Sequence, residues 1–259
     1  MRRVLFTFLL VATLASLAAA VAMADTLIGT DAGDRLRGTA SPDQLYGEGG
    51  DDELLGFGSH DYLEAGPGND SVDGGGGIDL IVGGTGNDEI NGGNGGDVVY
   101  AGAGEDQVLG GQGPDQLFGQ DGTDRLFGGA GADRIYASLG ADFVDAGSGN
   151  DTIFAEGGGI NVLAGGGNDL VSASGGDVTV EGGGGNDRIR TGAGNDRVSG
   201  GPGRDSIATG GGNDRIEALD GRRDRVHCGR GRNDSVVHDV QDILIGCELQ
   251  RRDPAEPLP

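Results

Sequence analysis

Tryptophan and lysine are absent from the sequence, aromatic residues make up 4% of it, and only two cysteines occur. With so little bulk, a conventional three-dimensional core cannot be filled. Positive charge is scarce as well: 18 arginines stand against 42 acidic residues, for a formal net charge of −24. Such a surface repels polyanions, so no nucleic-acid partner is expected. A chain so charged stays expanded until something cationic balances it. Histidine is limited to His60, His227 and His238, none beside a recognisable Ser or Cys motif, and no catalytic residue is assigned. Long apolar runs are missing apart from Val4 to Val21. Arg2 and Arg3 precede that run and Ala22-Met23-Ala24 follows it, the layout of a secretory signal peptide over residues 1–24. Cleavage is predicted after Ala24, giving a secreted chain with no transmembrane segment.

Glycine is plentiful, with 58 residues, and it is arranged in a repeat. Gly83-Gly84-Thr85-Gly86-Asn87-Asp88-Glu89-Ile90-Asn91 is followed by Gly92-Gly93-Asn94-Gly95-Gly96-Asp97-Val98-Val99-Tyr100, which has the same grammar. Counting in nines from Asp25 to Asp214 gives 22 positions, all Asp except Ile160 and Val178. Two residues after each stands Leu, Ile or Val, from Leu27 to Ile216, without exception. A flexible Gly-rich linker has no reason to hold an aliphatic residue in phase for so long.

In a strand of about three residues, alternation turns the aliphatic side chain inward and its neighbours outward. One such unit cannot bury that side chain, but stacked units make a continuous aliphatic column. Glycine supplies the positive-φ geometry of tight turns and lets carbonyl oxygens approach an ion. Aspartate adds a hard anionic oxygen, and carboxylate plus carbonyl oxygens are the donor set that Ca2+ prefers.

The pattern G-G-x-G-x-D-x-U-x resembles the RTX (repeats-in-toxin, haemolysin-type) calcium-binding nonapeptide repeat over nearly the whole mature chain. The resemblance implies an all-β fold, a right-handed parallel β-roll (β-solenoid) with two repeats per turn and ions held between turns 18 residues apart. The aspartates then fall into two columns. One comprises Asp52, Asp70, Asp88, Asp106, Asp124 and Asp142, a gap at Ile160 and Val178, then Asp196 and Asp214. The other runs unbroken through Asp79, Asp97, Asp115, Asp133, Asp151, Asp169, Asp187 and Asp205. Asp34, Asp43 and Asp61 are expected to be weaker, because Ala32, Ser41 and Ser59 stand where later turns have glycine. About a dozen ions are expected, in the weak affinity range of extracellular calcium modules. The family's catalytic or pore-forming activities lie in domains outside the repeats, which implies a non-enzymatic chain.

Outward positions on the sheet fed by the unbroken column include Tyr100, Phe118, Tyr136 and Phe154 at 18-residue spacing. They are read either as a stiffening ring stack or as a contact face for glycan, cell surface or self-association. Arg125, Arg134, Arg188, Arg197 and Arg215 are read as solvated outer-face charges. After Asp214 the phase slips to ten residues, and Cys228 and Cys247 bracket this stretch, where a disulfide is expected. The resulting division is a signal peptide (1–24), a calcium-binding β-roll (25–217), a disulfide-stapled C-terminal capping segment (218–250) and a loose tail (251–259). The function expected is that of a secreted protein that folds on Ca2+, as a structural or surface-interaction module. A calcium-dependent polysaccharide-modifying enzyme and a cell-surface adhesin or matrix protein are the alternatives.

Overall fold

The fold follows from a two-residue period carried through a nine-residue repeat. In each unit the register residue, the aliphatic residue two later and the residue four later (Gly or Ala in most units) share one side of the extended chain, and that side faces inward. The structure, a computed structural model, describes residues 24–252. These form 26 strands and no helix, from β1 (Thr26–Ile28) to β26 (Leu249–Arg252), numbered in chain order. Successive strands alternate between two sheets of thirteen, one holding the odd-numbered strands and the other the even-numbered ones. Two repeats therefore complete one turn of a parallel β-solenoid. At the usual strand spacing, thirteen levels stack to about 60 Å.

Pairing is parallel and in register, with an 18-residue offset: Leu45 opposite Leu63, Leu63 opposite Ile81, Val99 opposite Leu117. Each aliphatic residue thereby lands on its counterpart one turn away. The column from Leu45 to Val236 is buried, with Leu27, Leu36 and Leu244 half-buried at its two ends. Most units have Gly or Ala at the third inward position, where space is short, and Thr191, Thr209 and His238 fill it near the C-terminal end. A Cβ at Gly92 would lie 2.7 Å from the Gly110 carbonyl oxygen and 2.8 Å from Asp97 Oδ2.

At the two positions where the Asp register fails, Ile160 and Val178 join the core, 1% and 3% exposed. The aliphatic column passes this point unbroken, with Val144 opposite Val162 and Val162 opposite Val180. Beyond β22 (Arg215–Ala218), four more parallel strands carry both sheets on through residues 225–252. Cys228 and Cys247 are joined by a disulfide in this last part. Arg251 and Arg252, expected from the sequence in the loose tail, are the last residues of β26. The rest of that tail and the signal segment up to Met23 lie outside the described residues. No helix among the described residues is long and apolar enough to cross a membrane.

Candidate metal centre

Because the repeat places Asp in phase with the aliphatic residue, its carboxylate is turned into the solenoid. Asp97, for example, has no exposed surface, and Asp79, Asp106, Asp115, Asp124, Asp133, Asp142 and Asp151 are 1% exposed. One oxygen of each is used by the fold. Asp79 N–H donates to Asp97 Oδ1 at 2.9 Å, Asp97 N–H to Asp115 Oδ1 at 2.8 Å, and Asp115 N–H to Asp133 Oδ1 at 2.8 Å. The same bond links Asp52 to Asp70, Asp88 to Asp106 and Asp187 to Asp205. Each column of aspartates is thus a ladder that steps from one turn to the next.

The second oxygen has no such partner. In nineteen aspartates among the described residues Oδ2 is buried without a hydrogen-bond donor: Asp52, Asp61 and Asp70, then every register aspartate from Asp79 to Asp214, and Asp224 and Asp234 beyond. A buried acceptor left unsatisfied costs about 1–3 kcal/mol, and more if charged. Such a row calls for a cation. Burial is the main cause that pushes Asp88, Asp115, Asp151 and Asp224 up to about 7. It takes Asp79, Asp124, Asp169 and Asp205 up to about 6. The donated N–H opposes the rise, and neighbouring carboxylates add to it. Only a proton or a metal ion relieves so many charges at once.

The donor set fits a hard cation such as Ca2+. Among the described residues no three His, Cys, Asp or Glu side chains converge on one point. The row aspartates would therefore supply the carboxylate oxygens, and backbone carbonyls of the glycine turns the rest of a six- to eight-oxygen shell. Glycine at the third inward position keeps that space clear, since a Cβ at Gly92 would crowd both the Gly110 carbonyl oxygen and Asp97 Oδ2. When bound, the ion supplies the positive charge that the ladder lacks.

The first two turns solve the same problem differently. Thr30 donates its N–H to Asp34 Oδ2 at 2.7 Å and its hydroxyl at 2.8 Å. Thr39 does the same for Asp43, at 2.5 and 3.0 Å. Threonine takes the place of the second glycine there, so these two carboxylates are satisfied without a cation. Asp61 instead keeps an unpartnered Oδ2, and Ser59 adopts a glycine-like φ of 86°. The distinction follows Thr30 and Thr39, not Ala32, Ser41 and Ser59.

Several ladder members are missed by counting in nines. Asp205 N–H donates to Asp224 Oδ1, Asp214 to Asp234 and Asp224 to Asp242, and Glu248 Oε2 accepts the Asp234 N–H at 3.2 Å. The signal is present in the ten-residue phase, since Val226 and Val236 still follow two residues after Asp. A second ladder, of asparagines, runs the opposite way at the preceding position. Asn69 Oδ1 accepts the Asn87 N–H and Asn168 Oδ1 the Asn186 N–H, both at 2.9 Å. Asp177, one residue ahead of the gap, belongs to this exposed ladder, where its Oδ1 accepts the Asn195 N–H at 2.6 Å.

On the outer face of the odd-numbered sheet, Tyr100, Phe118, Tyr136 and Phe154 form a continuous stack. Ring centroids are 4.7, 4.7 and 5.3 Å apart, with planes within 15° of parallel.

No curated protein matches the chain by sequence. The RTX calcium-binding nonapeptide repeat (4 copies) matches residues 28–56, 58–81, 82–117, 118–153, 163–198 and 190–222, more than half of the chain. RTX repeats bind calcium, and the buried carboxylate rows agree with that chemistry. The chain belongs to the RTX calcium-binding nonapeptide repeat family.

Proposed function

We propose that this chain is an exported, non-enzymatic calcium-binding rod whose stacking depends on the ions it takes up. The observation that carries this reading is the row of buried, unpartnered Oδ2 atoms from Asp52 to Asp234. Without a cation those carboxylates oppose stacking, and with one they drive it, so ion binding energy becomes folding energy. Export fits the same logic, because RTX-repeat proteins are typically secreted and calcium is abundant outside the cell. The Asp52 to Asp214 series, with Asp224 and Asp234, would hold the ions, while Asp34 and Asp43 are already served by Thr30 and Thr39. Burial of the rows also removes these carboxylates from reach of a polymer at the surface, which favours a structural or surface-interaction module over a polysaccharide-modifying enzyme.

Circular dichroism across a calcium titration, with magnesium as control, tests this reading. A cooperative gain of β-signal with calcium alone is expected. A spectrum and melting temperature indifferent to EGTA would refute it.

A further inference from the structure

The two outer faces of the solenoid differ in net charge, the even-numbered sheet balancing six arginines against six acidic residues and the odd-numbered sheet setting four arginines against one. Each strand shows two outward side chains, one on either side of its inward aliphatic residue. On the even-numbered sheet six of these are acidic: Glu53, Asp73, Glu89, Asp145, Glu181 and Glu217. On the odd-numbered sheet Glu64 is the single acidic one among the described residues, and it accepts the Tyr62 hydroxyl at 2.6 Å. Asp121 and Glu156 stand at the ends of their strands, where the chain turns. In a chain with 42 acidic residues, this face is spared them.

It is also the face that carries the ring stack. The stack passes from β9 (Val98–Gly104) to β15 (Thr152–Glu156) and runs into a cleft of about 280 Å³ lined by Phe154, Leu170, Ser172, Arg188 and Arg190, with no acidic residue. Arg134 lies beside Tyr136, and Arg225 lies two strands beyond Arg188. All four arginines are exposed, and among the described residues none of them makes an ion pair.

We infer that this face is a docking strip for an extended acidic polysaccharide. Guanidinium groups recognise carboxylate and sulfate through paired, charge-assisted hydrogen bonds. Arg188 and Arg225 are separated by about 10 Å along the rod, and Arg134 and Arg188 by about 14 Å. That sparse line of cations suits a polymer with one acidic group per sugar or fewer. The net charge of −24 opposes any polyanion, and it opposes duplex DNA most, with one charge per about 1.7 Å of axis, whereas a single polysaccharide strand carries far fewer charges per length. A membrane is a poorer match, because the rings are stacked on one another, Tyr100, Phe118 and Tyr136 are half-buried and Phe154 alone of the four is exposed, at 38%. The stack instead makes a continuous aromatic ridge along which a chain can lie between its arginine contacts.

The calcium-loaded chain is titrated with polygalacturonate, with neutral dextran, DNA and phosphatidylserine vesicles as the other arms. Binding to polygalacturonate alone, weakened by salt, is expected. Arg188→Ser/Arg190→Ser should bind roughly tenfold more weakly for each guanidinium removed, and Arg197→Ser/Arg215→Ser on the opposite sheet should bind like the parent. Equal loss in both double variants, or no loss in the first (the result if calcium merely bridges acidic groups), overturns the proposal. So does preference for DNA or vesicles. If the first variant no longer gains β-signal with calcium, Arg225→Ser, on another strand, carries the same test. Retained calcium-dependent folding without polysaccharide binding defeats this inference and leaves the calcium reading standing.

Discussion

Asp124 N–H donates to Asp142 Oδ1 at 2.9 Å, and with that bond the first carboxylate ladder stops. Ile160 and Val178 fill the next two positions, and the ladder resumes where Val178 N–H donates to Asp196 Oδ1 at 3.1 Å. A packed aliphatic residue in place of a buried charge removes a desolvation cost. This edge should therefore be least dependent on metal between residues 160 and 178. In EGTA, amide exchange is expected to be slowest there among the turns of that column. Ile160→Asp/Val178→Asp restores the register and adds two buried carboxylates. Each should cost about 1–3 kcal/mol without metal, read as a lower melting temperature in EGTA. At calcium saturation, equilibrium dialysis should show more ions per chain, and an unchanged number would contradict ions held along the ladders.

A single-atom change separates the two carboxylate oxygens. Asp115 Oδ1 accepts the Asp97 N–H at 2.8 Å, while its Oδ2 is buried without a donor. Asp115→Asn keeps an oxygen for the N–H and discards the charge. Without metal the variant should be more stable than the parent, and with calcium less stable, each by about 1–3 kcal/mol. Asp115→Ala should be destabilised in both states, because the Asp97 N–H loses its acceptor. Melting curves of the three proteins with calcium and with EGTA test this, and a change of the same sign in both states for the Asn variant would count against a cation at Oδ2.

Much of the fold and of the carboxylate rows is legible in the sequence, for a specific reason. The period of the aliphatic residues from Leu27 to Ile216 is an integer number of residues, and an integer period repeated in sequence becomes a register in space. Parallel pairing of Leu63 with Ile81 and the stacking of Phe118 on Tyr136 both follow from it. What depends on local chemistry is hidden. Thr30 and Thr39 look like ordinary substitutions of glycine until their hydroxyls are found on Asp34 and Asp43. The last rungs, Asp205 to Asp224 to Asp242 in one ladder and Asp214 to Asp234 to Glu248 in the other, are harder to read, because the spacing departs from nine, first to ten residues and then to eight between Asp234 and Asp242.

The raised carboxylate pKa values give a pH dependence with a definite sign. Asp88, Asp115, Asp151 and Asp224 lie at about 7 in the folded, metal-free chain, against an ordinary aspartate value of 3.8. Between those values the folded state holds more protons than the unfolded one, so stability falls as pH rises. The stability these groups contribute to the metal-free solenoid should be fully present below about pH 4 and be lost progressively as pH rises to about 7. In EGTA, β-signal at pH 4.5 should exceed that at pH 7.5. Calcium reverses the practical outcome, because protons and ions compete for the same oxygens and apparent affinity should drop on acidification through the same interval. A metal-free chain more structured at pH 7.5 than at pH 4.5 would remove the argument for uncompensated buried carboxylates.

The Cys228–Cys247 disulfide joins positions 19 residues apart and encloses Asp234, Val236 and His238. On the chain-entropy view, closing such a loop stabilises the fold by about 3 kcal/mol. Its benefit should be local. A solenoid turn touches only its neighbours, so strands near the end open independently of the middle unless each turn relies on the next. Cys228→Ser/Cys247→Ser should raise the calcium needed for half-maximal folding and erase amide protection over residues 225–252. Protection at Leu117 and Ile135 should persist, since the ladders and the aliphatic column on either side of them are intact. Loss of protection along the whole rod would mean that order propagates from the stapled end, making the Glu248 contact with Asp234 the first rung of the ladder as well as its last.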